Sequence, residues 1–434
     1  MLRGVLEQAD RWGVRGWAHD GATPLRLEVF AGARLAAVVT ADQYRADLTG
    51  EAGGRCAFEA WFPEPLPLDR NVEVRVTRPD GRDLPGSPML YTAPPREPST
   101  LVLPDAGAPL ALVVDAAAPV AGRDSASAAL LSHMAALAAL GFAVRFAAVA
   151  DAPAVIAETA GLVRVAYLHR LPAAALNQAI RAANPGVHVV FALADLAHVR
   201  AERQAAVLGG VPPAGLRAAE LAAAREADAV VTHSRAEAVL LERTLPGIRA
   251  HCVPWAADAP PVPIPFAERA GVGFIGGFGH APNQDAAALL LDEVMPLVWR
   301  TRPVPCVLAG FGMPDWLRGR AGGLVRVLHP LPAAAGLWRQ IRVSAAPLRF
   351  GAGIKGKVLD SIAAGVPCVC SPVAAEGLDL PPALRAGDIA DMAATLLRLH
   401  EDAAENAAVA ARARCVLSGP ATVTRALAWA IGTG

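Results

Sequence analysis

Lysine is almost absent from this sequence of 434 residues. Only two of its 40 basic residues are lysines, Lys355 and Lys357, and both lie in one short segment. Everywhere else arginine supplies the positive charge, which indicates a coding bias that replaces lysine by arginine. The segment with the two lysines is the single exception. Lysine is a compact charge on a thin stem, whereas arginine is a broad planar fork. The segment therefore predicts a site that admits an ammonium group and excludes a guanidinium group, with chance survival of the lysines on a solvated helix start as the alternative.

Other scarcities exclude whole classes of protein. No apolar run reaches the roughly 18 residues of a membrane-spanning helix. We expect no signal peptide, because Met1–Asp10 has no apolar core. A formal net charge of +0 argues against a protein that coats nucleic acid. The six cysteines include no CxxC pair, so we expect free thiols in a reducing cytosol and no metal site.

The first 95 residues have the pattern of β structure. Leu25–Phe30 and Val72–Thr77 alternate between apolar and polar residues, and no segment shows a helical period. Residues 1–95 are therefore predicted to form a small all-β sandwich. Ala93–Pro98 is rich in proline, which predicts a linker over residues 96–108.

From residue 109 onward, strands alternate with helices in two series. The proline-rich segment Pro254–Pro265 separates the series and is predicted to be a hinge. The predicted fold class is α/β, with two Rossmann-like, doubly wound domains at 109–258 and 259–434 that face a cleft. The predicted strands are Leu110–Val114, Ala143–Val149, Val187–Phe191 and Ala229–Thr232 in the first domain, and Val272–Ile275, Cys306–Ala309, Leu324–Leu328, Val343–Ala346 and Cys368–Cys370 in the second.

Two glycine-rich segments in the second domain are typical of phosphate sites. Gly276–His280 lies between a strand and a helix, where backbone N–H groups and the helix N-terminus attract anions. Its glycine spacing does not fit the dinucleotide fingerprint. Gly351–Lys357 matches the P-loop pattern up to its lysine, but Val358 stands where the magnesium ligand would be. We therefore expect a diphosphate site that uses lysines and no metal or cofactor.

Several polar residues lie near the expected cleft. Asp360, one helical turn after Lys357, is a candidate ligand for ribose hydroxyls or else an intrahelical partner of that lysine. Glu376 follows the last predicted strand, as a ligand for sugar or nucleotide or as a plain loop carboxylate. In the first domain His198 is the candidate catalytic histidine, His233 is a weaker candidate, and His133 is expected to be structural.

These segments resemble a known family in their order and spacing. The sequences Phe274–Asn283, Glu293–Pro296, Ala346–Asp360, Ala363–Pro367 and Ala375–Gly377 resemble the C-terminal domain of bacterial family 4 (group 1) glycosyltransferases of the GT-B fold. Gly16–Ala18 and Arg45–Leu48 resemble, less specifically, a β-sandwich module attached to some of these enzymes.

The resemblance implies transfer of a sugar from a nucleotide diphosphate sugar to a glycan, lipid-linked or other acceptor, with retention and without a metal. It implies a cytoplasmic enzyme of glycan biosynthesis, with peripheral contact at the inner membrane face left open. The implied catalytic residues are His198 and Lys357. The implied donor-binding residues are Gly276, Gly277, Phe278, Gly279, His280, Asn283, Arg349, Lys355, Lys357, Asp360, Glu376 and Gly377.

The sequence departs from the family at two positions, and the family's catalytic histidine has no matching motif in the first domain, where Asp195–Arg200 is the best candidate segment. The family usually carries two glutamates eight positions apart, which fall here at Ala352 and Asp360. Two alternatives stay open, and the missing first carboxylate supports the first of them. One is a non-catalytic carbohydrate-binding or scaffold protein on a degenerate transferase fold, and the other is a nucleotide-sugar epimerase of the GT-B fold.

Overall fold

A computed structural model describes residues 3–9, 13–21, 24–45, 48–62, 66, 71–92, 107–121, 124–257, 265–329 and 334–433. The chain divides into two compact units, Met1–Pro98 and Ser99–Gly434. The predicted linker and the predicted hinge lie mostly outside the described residues, as do Ala46 and Asp47 of the β-module resemblance.

The first unit consists of two four-stranded antiparallel sheets. Their strand orders are β1-β2-β6-β5 and β4-β3-β7-β8. Alternate side chains of both sheets, such as Phe58 on one and Leu27 on the other, are buried in one common core. The prediction of an all-β N-terminal region is confirmed. The strands are β1 Arg3–Ala9, β2 Gly13–His19, β3 Leu25–Ala31, β4 Arg34–Ala41, β5 Gln43–Tyr44, β6 Arg55–Trp61, β7 Val72–Thr77 and β8 Met89–Tyr91.

The second unit begins with a six-stranded parallel sheet in the order β10-β9-β11-β12-β13-β14. Its strands are β9 Leu110–Asp115, β10 Ala143–Ala148, β11 Val163–His169, β12 His188–Ala192, β13 Ala229–Thr232 and β14 Ala250–Cys252. The helices between them are α1 Ser125–Ala139, α2 Ala152–Glu158, α3 Arg170–Ala174, α4 Asn177–Ala183, α5 Ala197–Leu208, α6 Leu216–Glu226 and α7 Arg235–Thr244. Both faces of this sheet are covered, which explains the continuous apolar strands.

A five-stranded parallel sheet follows in the order β17-β16-β15-β18-β19. Its strands are β15 Val272–Gly277, β16 Cys306–Phe311, β17 Val325–Leu328, β18 Val343–Ala346 and β19 Cys368–Cys370. Its helices are α8 Ala281–Leu289, α9 Met295–Trp299, α10 Asp315–Arg318, α11 Ala335–Trp338, α12 Gly356–Ala363, α13 Pro372–Ala375, α14 Ile389–Glu401 and α15 Ala403–Ala413. The two α/β sheets confirm the predicted fold class.

The helical segment from Ala281 to Trp299 is interrupted just before Pro296, near the position that the proline predicts. A π-helical turn, Leu290–Val294, separates α8 from α9. Pro296 follows directly in α9, where it can donate no N–H and its ring would clash with a carbonyl four residues earlier. The wider π turn accommodates that ring without ending the helical path.

The last helix, α16 Pro420–Ala430, returns to the first α/β domain. Its Val423 and Leu427 are fully buried in the core of the six-stranded sheet, and the Ala430 carbonyl accepts a hydrogen bond from His188. The predicted boundaries assigned all residues after 258 to the second domain, so this helix is a correction to them. The outgoing and returning segments lie side by side, because Ala257 N–H donates to the Ser418 carbonyl at 3.1 Å.

Within the described residues, no helix combines the length and the apolar character that crossing a bilayer requires.

Candidate functional site

The carboxyl end of β15 carries the first glycine segment. Gly276 and Gly277 extend the strand rather than form the turn, and they pair with Gly310 and Phe311 of β16. A Cβ on Gly310 would lie 1.9 Å from the Gly276 carbonyl oxygen, so a side chain there would separate the two strand ends. Gly277 and Gly279 are exposed with almost nothing beside their missing side chains. The backbone here is therefore open to a ligand.

Asn283 connects this strand end to Lys357. Its amide donates to the Gly277 carbonyl at 2.8 Å, and its amide oxygen accepts a hydrogen bond from the Lys357 ammonium. A Cβ on Gly276 would approach the Asn283 side chain to 2.9 Å, so glycine is needed at that position. The ammonium also lies 4.5 Å from the ring centroid of the buried Phe274. Two distant parts of the sequence thus meet at one half-buried cation.

The Lys357 cation has weak partners for its position. Burial, with a smaller contribution from the neighbouring Lys355, lowers the pKa of its side chain to about 7. Among the described residues, its contacts are an amide oxygen and an aromatic face, and no carboxylate lies within ion-pair distance. An anion would stabilise the charged form, since an opposite charge nearby favours ionisation.

Lys355 has a different environment from Lys357. Its ammonium is buried and donates to the carbonyls of Gly353 at 2.6 Å and Ala352 at 3.2 Å. Burial lowers the pKa of Lys355, while the carboxylate of Glu376 acts in the opposite direction. The Lys355 ammonium therefore links two carbonyls of the loop that precedes α12. The Lys357 ammonium has fewer hydrogen-bond partners than the Lys355 ammonium.

The remaining residues predicted for the donor lie around this centre. Asp360 is exposed on α12, yet the surrounding protein excludes enough water to raise its carboxyl pKa to about 6. His280 is exposed at the start of α8. Arg349 is exposed and forms an ion pair with Asp285.

Phe278 requires a correction. It was predicted among the donor-binding residues, but its ring is fully buried in the core of the five-stranded sheet. Its backbone is also occupied, because its N–H donates to the Phe311 carbonyl and its carbonyl accepts from Gln284. The Phe278 side chain anchors the turn and cannot contact a ligand above it.

Glycines of the lysine loop Gly351–Lys357, together with Gly377 after α13, lie against the first α/β domain. A Cβ on Gly356 would lie 2.2 Å from the Ser125 Cβ at the start of α1. A Cβ on Gly353 would lie 2.8 Å from the Asp195 Cβ, and one on Gly377 2.7 Å from the Ser234 hydroxyl. These glycines therefore allow the two α/β domains to approach each other at the lysine loop and at the loop after α13. This use of glycine differs from contact with a phosphate.

Glu237 is a site residue that the sequence did not predict. It is buried on α7 and accepts the backbone N–H of Gly353 at 2.8 Å and that of Leu196 at 3.0 Å. Burial raises the pKa of Glu237, although three hydrogen bonds to its carboxylate act against this. The contact ties the lysine loop to the first domain through a buried carboxylate.

His198 lies at the start of α5 and points into its own domain. Its ring is buried and its Nδ1 lies 2.5 Å from a carboxylate oxygen of Glu220 on α6. The same carboxylate accepts the backbone N–H groups of Ala197 and His198 at the first turn of α5. These contacts fix α5 to α6. A catalytic role for His198 remains a prediction.

The six-stranded parallel sheet carries a second polar cluster, which was not predicted from the sequence. His169 ends β11 and donates from Nδ1 to Asp115 at the end of β9, at 3.0 Å. Arg170 binds both oxygens of Asp115 and has a φ of 68°, a region that non-glycine residues rarely adopt. Burial alone would raise the pKa of Asp115, but hydrogen bonds from His169 and Arg170 hold it below its ordinary value.

His133 and His233 pack beside each other below this edge, with ring centroids 5.2 Å apart. Burial lowers the pKa of His133 to about 3 and that of His233 to about 4, so both rings are neutral near pH 7. Both nitrogens of His133 have hydrogen-bond partners, in line with a structural role.

The family comparison addresses the segment that holds this site. Residues 269–402 match the family model described as glycosyl transferases group 1. These residues form a group 1 glycosyltransferase domain. The predicted resemblance and the prediction of a glycosyltransferase are thereby confirmed. A search of curated protein sequences found no match.

Solved structures share the fold of this glycosyltransferase at low sequence identity. Sucrose-phosphate synthase from Thermosynechococcus elongatus is 15% identical, with 73% of this chain and 97% of that chain covered and a TM-score of 0.57. Anabaena HepE in complex with UDP and glucose is 14% identical, with coverage of 75% and 99% and a TM-score of 0.54. TarM is 10% identical, with coverage of 99% and 79% and a TM-score of 0.51. The chain has the GT-B fold.

Proposed function

We propose that this glycosyltransferase binds a nucleotide diphosphate sugar against the Gly276–Gly279 segment and Lys357. The supporting observation is the half-buried Lys357 ammonium, which has no described carboxylate partner and lies beside an open glycine backbone. The N-termini of α8 and α12 lie at the same edge and add positive potential. Asp360, which is exposed on α12 one helical turn after Lys357, would accept hydrogen bonds from ribose hydroxyls.

The chemistry proposed for this site is departure of a nucleoside diphosphate from the anomeric carbon of the sugar. The oxygen of an acceptor hydroxyl forms the new bond to that carbon, and its proton passes to the departing diphosphate. The resemblance favours retention at the anomeric carbon. The leaving diphosphate gains negative charge, so fixed positive groups lower the barrier most where that charge develops. Lys357 would supply a full charge there. The proposal assigns this stabilisation to the lysine and to the helix N-termini, without a metal ion.

The acceptor would enter from the first α/β domain, whose polar edge carries the Asp115–His169 pair. A glycan or a lipid-linked saccharide fits this arrangement, at the cytoplasmic membrane face in the second case. The solved complex of HepE with UDP and glucose makes uridine diphosphate the first nucleotide to test. A non-catalytic function draws its support from Ala352, which replaces the family's first carboxylate. Any turnover of a nucleotide sugar, including slow hydrolysis, would exclude it, and product analysis would separate transfer from epimerisation.

A thermal-shift screen tests the donor class. UDP, GDP, ADP and TDP are compared with and without EDTA, at concentrations up to a hundred times the expected dissociation constant. A bound nucleotide at that excess adds about 2.7 kcal/mol to the free energy of unfolding. We expect one base to give the largest shift and EDTA to leave it unchanged. Loss of the shift in EDTA would contradict metal independence, and no shift with any nucleotide would contradict the donor site.

The pKa of Lys357 predicts a pH dependence of donor affinity. With a pKa of about 7 in the free protein, the side chain is mostly neutral at pH 8.5 and must take up a proton to meet a diphosphate. Affinity for a nucleotide sugar is expected to fall by up to about tenfold per pH unit above pH 7.5. Isothermal titration calorimetry in two buffers of different ionisation enthalpy should show uptake of about one proton. A flat pH profile would contradict a diphosphate at Lys357.

A further inference from the structure

Arg203 joins the two α/β domains at the proposed donor site. It lies on α5 in the first domain, and its guanidinium reaches two loops of the glycosyltransferase domain. One nitrogen donates to the Gly351 carbonyl at 2.8 Å and to Glu376 at 2.6 Å, and a second donates to the other oxygen of Glu376 at 2.8 Å. The ion pair is thus bidentate, which fixes both groups in orientation as well as distance.

The two loops that Arg203 contacts are distant in sequence. Gly351 begins the segment that leads to Lys357, and Glu376 follows α13 after the last strand of the sheet. Both side chains of the ion pair keep about a third of their surface exposed. Arg203 holds the pKa of Glu376 below its ordinary value, so the carboxylate stays ionised. Each of its oxygens retains a lone pair, since a carboxylate offers about four acceptor positions.

Arg203 is held in place by the helix that carries it. Helix α5 is fixed at its start by Glu220, and Glu237 ties the Gly353 backbone to the loop that precedes α5. Gly353 lies against that same loop with no room for a side chain. The guanidinium is therefore carried by a helix that is fixed in place. Because its two partners belong to the other domain, these contacts exist only while the domains are together.

We propose that Arg203 is a positioning residue of the donor site that the first domain supplies. It orients the Glu376 carboxylate towards hydroxyl groups of the donor sugar and holds the start of the lysine loop. The inference rests on the proposed function. It assigns the sugar-binding part of the site to a carboxylate whose geometry depends on the neighbouring domain.

The test measures the donor KM and kcat of the full chain for Arg203→Ala, Glu376→Ala and the double variant. We expect Arg203→Ala to raise the donor KM about tenfold, since displaced positioning groups cost that much or more. The double variant should lose much less than the product of the two single effects, because Arg203 acts largely through that carboxylate and only its bond to the Gly351 carbonyl is independent of it. Arg203→Lys keeps the charge without the fork and should fall between Arg203→Ala and the wild-type protein.

Arg217→Ala is the matched control. Arg217 is an exposed arginine on α6 that pairs with Glu202 of α5, so its loss removes a surface ion pair of the same helix pair. It should leave both kinetic constants unchanged. Unaltered kinetics in Arg203→Ala, or effects of the two single substitutions that simply multiply, would overturn the inference while leaving the proposed function intact. Absence of nucleotide binding in the wild-type protein would instead remove the proposed function and the inference together.

Discussion

Lys357→Met is expected to abolish the thermal shift with nucleotide diphosphates and to lower transfer by about 10²–10³-fold. This range is typical for loss of one group that stabilises developing charge in a transition state. Methionine keeps the length and the apolar stem of lysine, so the contact with the Phe274 ring is preserved. The measurements are ligand-induced melting shifts and initial rates of nucleotide release.

The same substitution should not destabilise the ligand-free protein. Burial lowers the pKa of Lys357 from 10.5 to about 7, so the folded state disfavours the ammonium. The resulting cost is complete below pH 7 and is relieved as pH rises towards 10.5, because the unfolded chain then binds more protons than the folded one. Removing the ammonium should raise stability at pH 6 and remove this rise with pH. A large loss of stability at pH 6 would mean that the fold itself needs the cation.

Arg302→Met provides the control for charge removal at an exposed position. Arg302 pairs with Glu401 at the surface, away from the strand ends that form the site. Its loss should alter neither the nucleotide response nor the rate. Full activity in Lys357→Met would contradict the donor site as proposed.

Gly356→Ala should impair catalysis without unfolding either domain. Gly356 has an ordinary helical backbone at the start of α12, where alanine is favoured over glycine by about 1 kcal/mol. The obstacle is Ser125 of the first domain, whose Cβ would lie 2.2 Å from the new methyl group. Overpacking of this kind costs about 1–3 kcal/mol. We expect kcat/KM to fall about tenfold to a hundredfold at a nearly unchanged melting temperature.

Ser125→Gly provides the rescue for this prediction. It removes the Cβ and hydroxyl that meet the new methyl group, so the double variant should recover most of the activity. Gly186→Ala is the control, because no atom lies within 4 Å of the position its methyl group would take. If Ser125→Gly fails to restore activity, the defect does not arise from the contact between the domains.

Much of the fold could be predicted from the sequence because its signals are local. Apolar runs and glycine stops placed most strands of the two parallel sheets within one or two residues. The central strand β11 was missed, since Arg164 interrupts its apolar pattern and a polar His169 ends it. The sequence also could not predict which of the two sheets α16 covers. An alanine-rich helix has the same pattern whichever sheet it covers, and only packing decides between them.

The site was predicted less completely because its residues serve two domains. Phe278 was included for its place in a glycine-rich segment, but a turn needs an anchor in the core as well as an open backbone. Ser234 and Glu237 have the spacing of a helix capping box. In the structure the Glu237 carboxylate instead accepts N–H groups from Leu196 and Gly353. The Ser234 N–H donates a hydrogen bond to the Thr232 hydroxyl. No local pattern could reveal Arg203, because its partners lie more than 140 residues away.

The packing of α16 on the six-stranded sheet of the first α/β domain also sets an order of events during synthesis. Val423 and Leu427 cover apolar surface of a sheet whose own strands end at Cys252. The ribosome therefore completes the whole glycosyltransferase domain before the first sheet can bury that surface. Until then the nascent first domain carries an uncovered apolar face, which chaperones bind and which favours aggregation. Variants that slow the docking of α16 should therefore lower the yield of soluble protein more than they lower the activity of the molecules that fold.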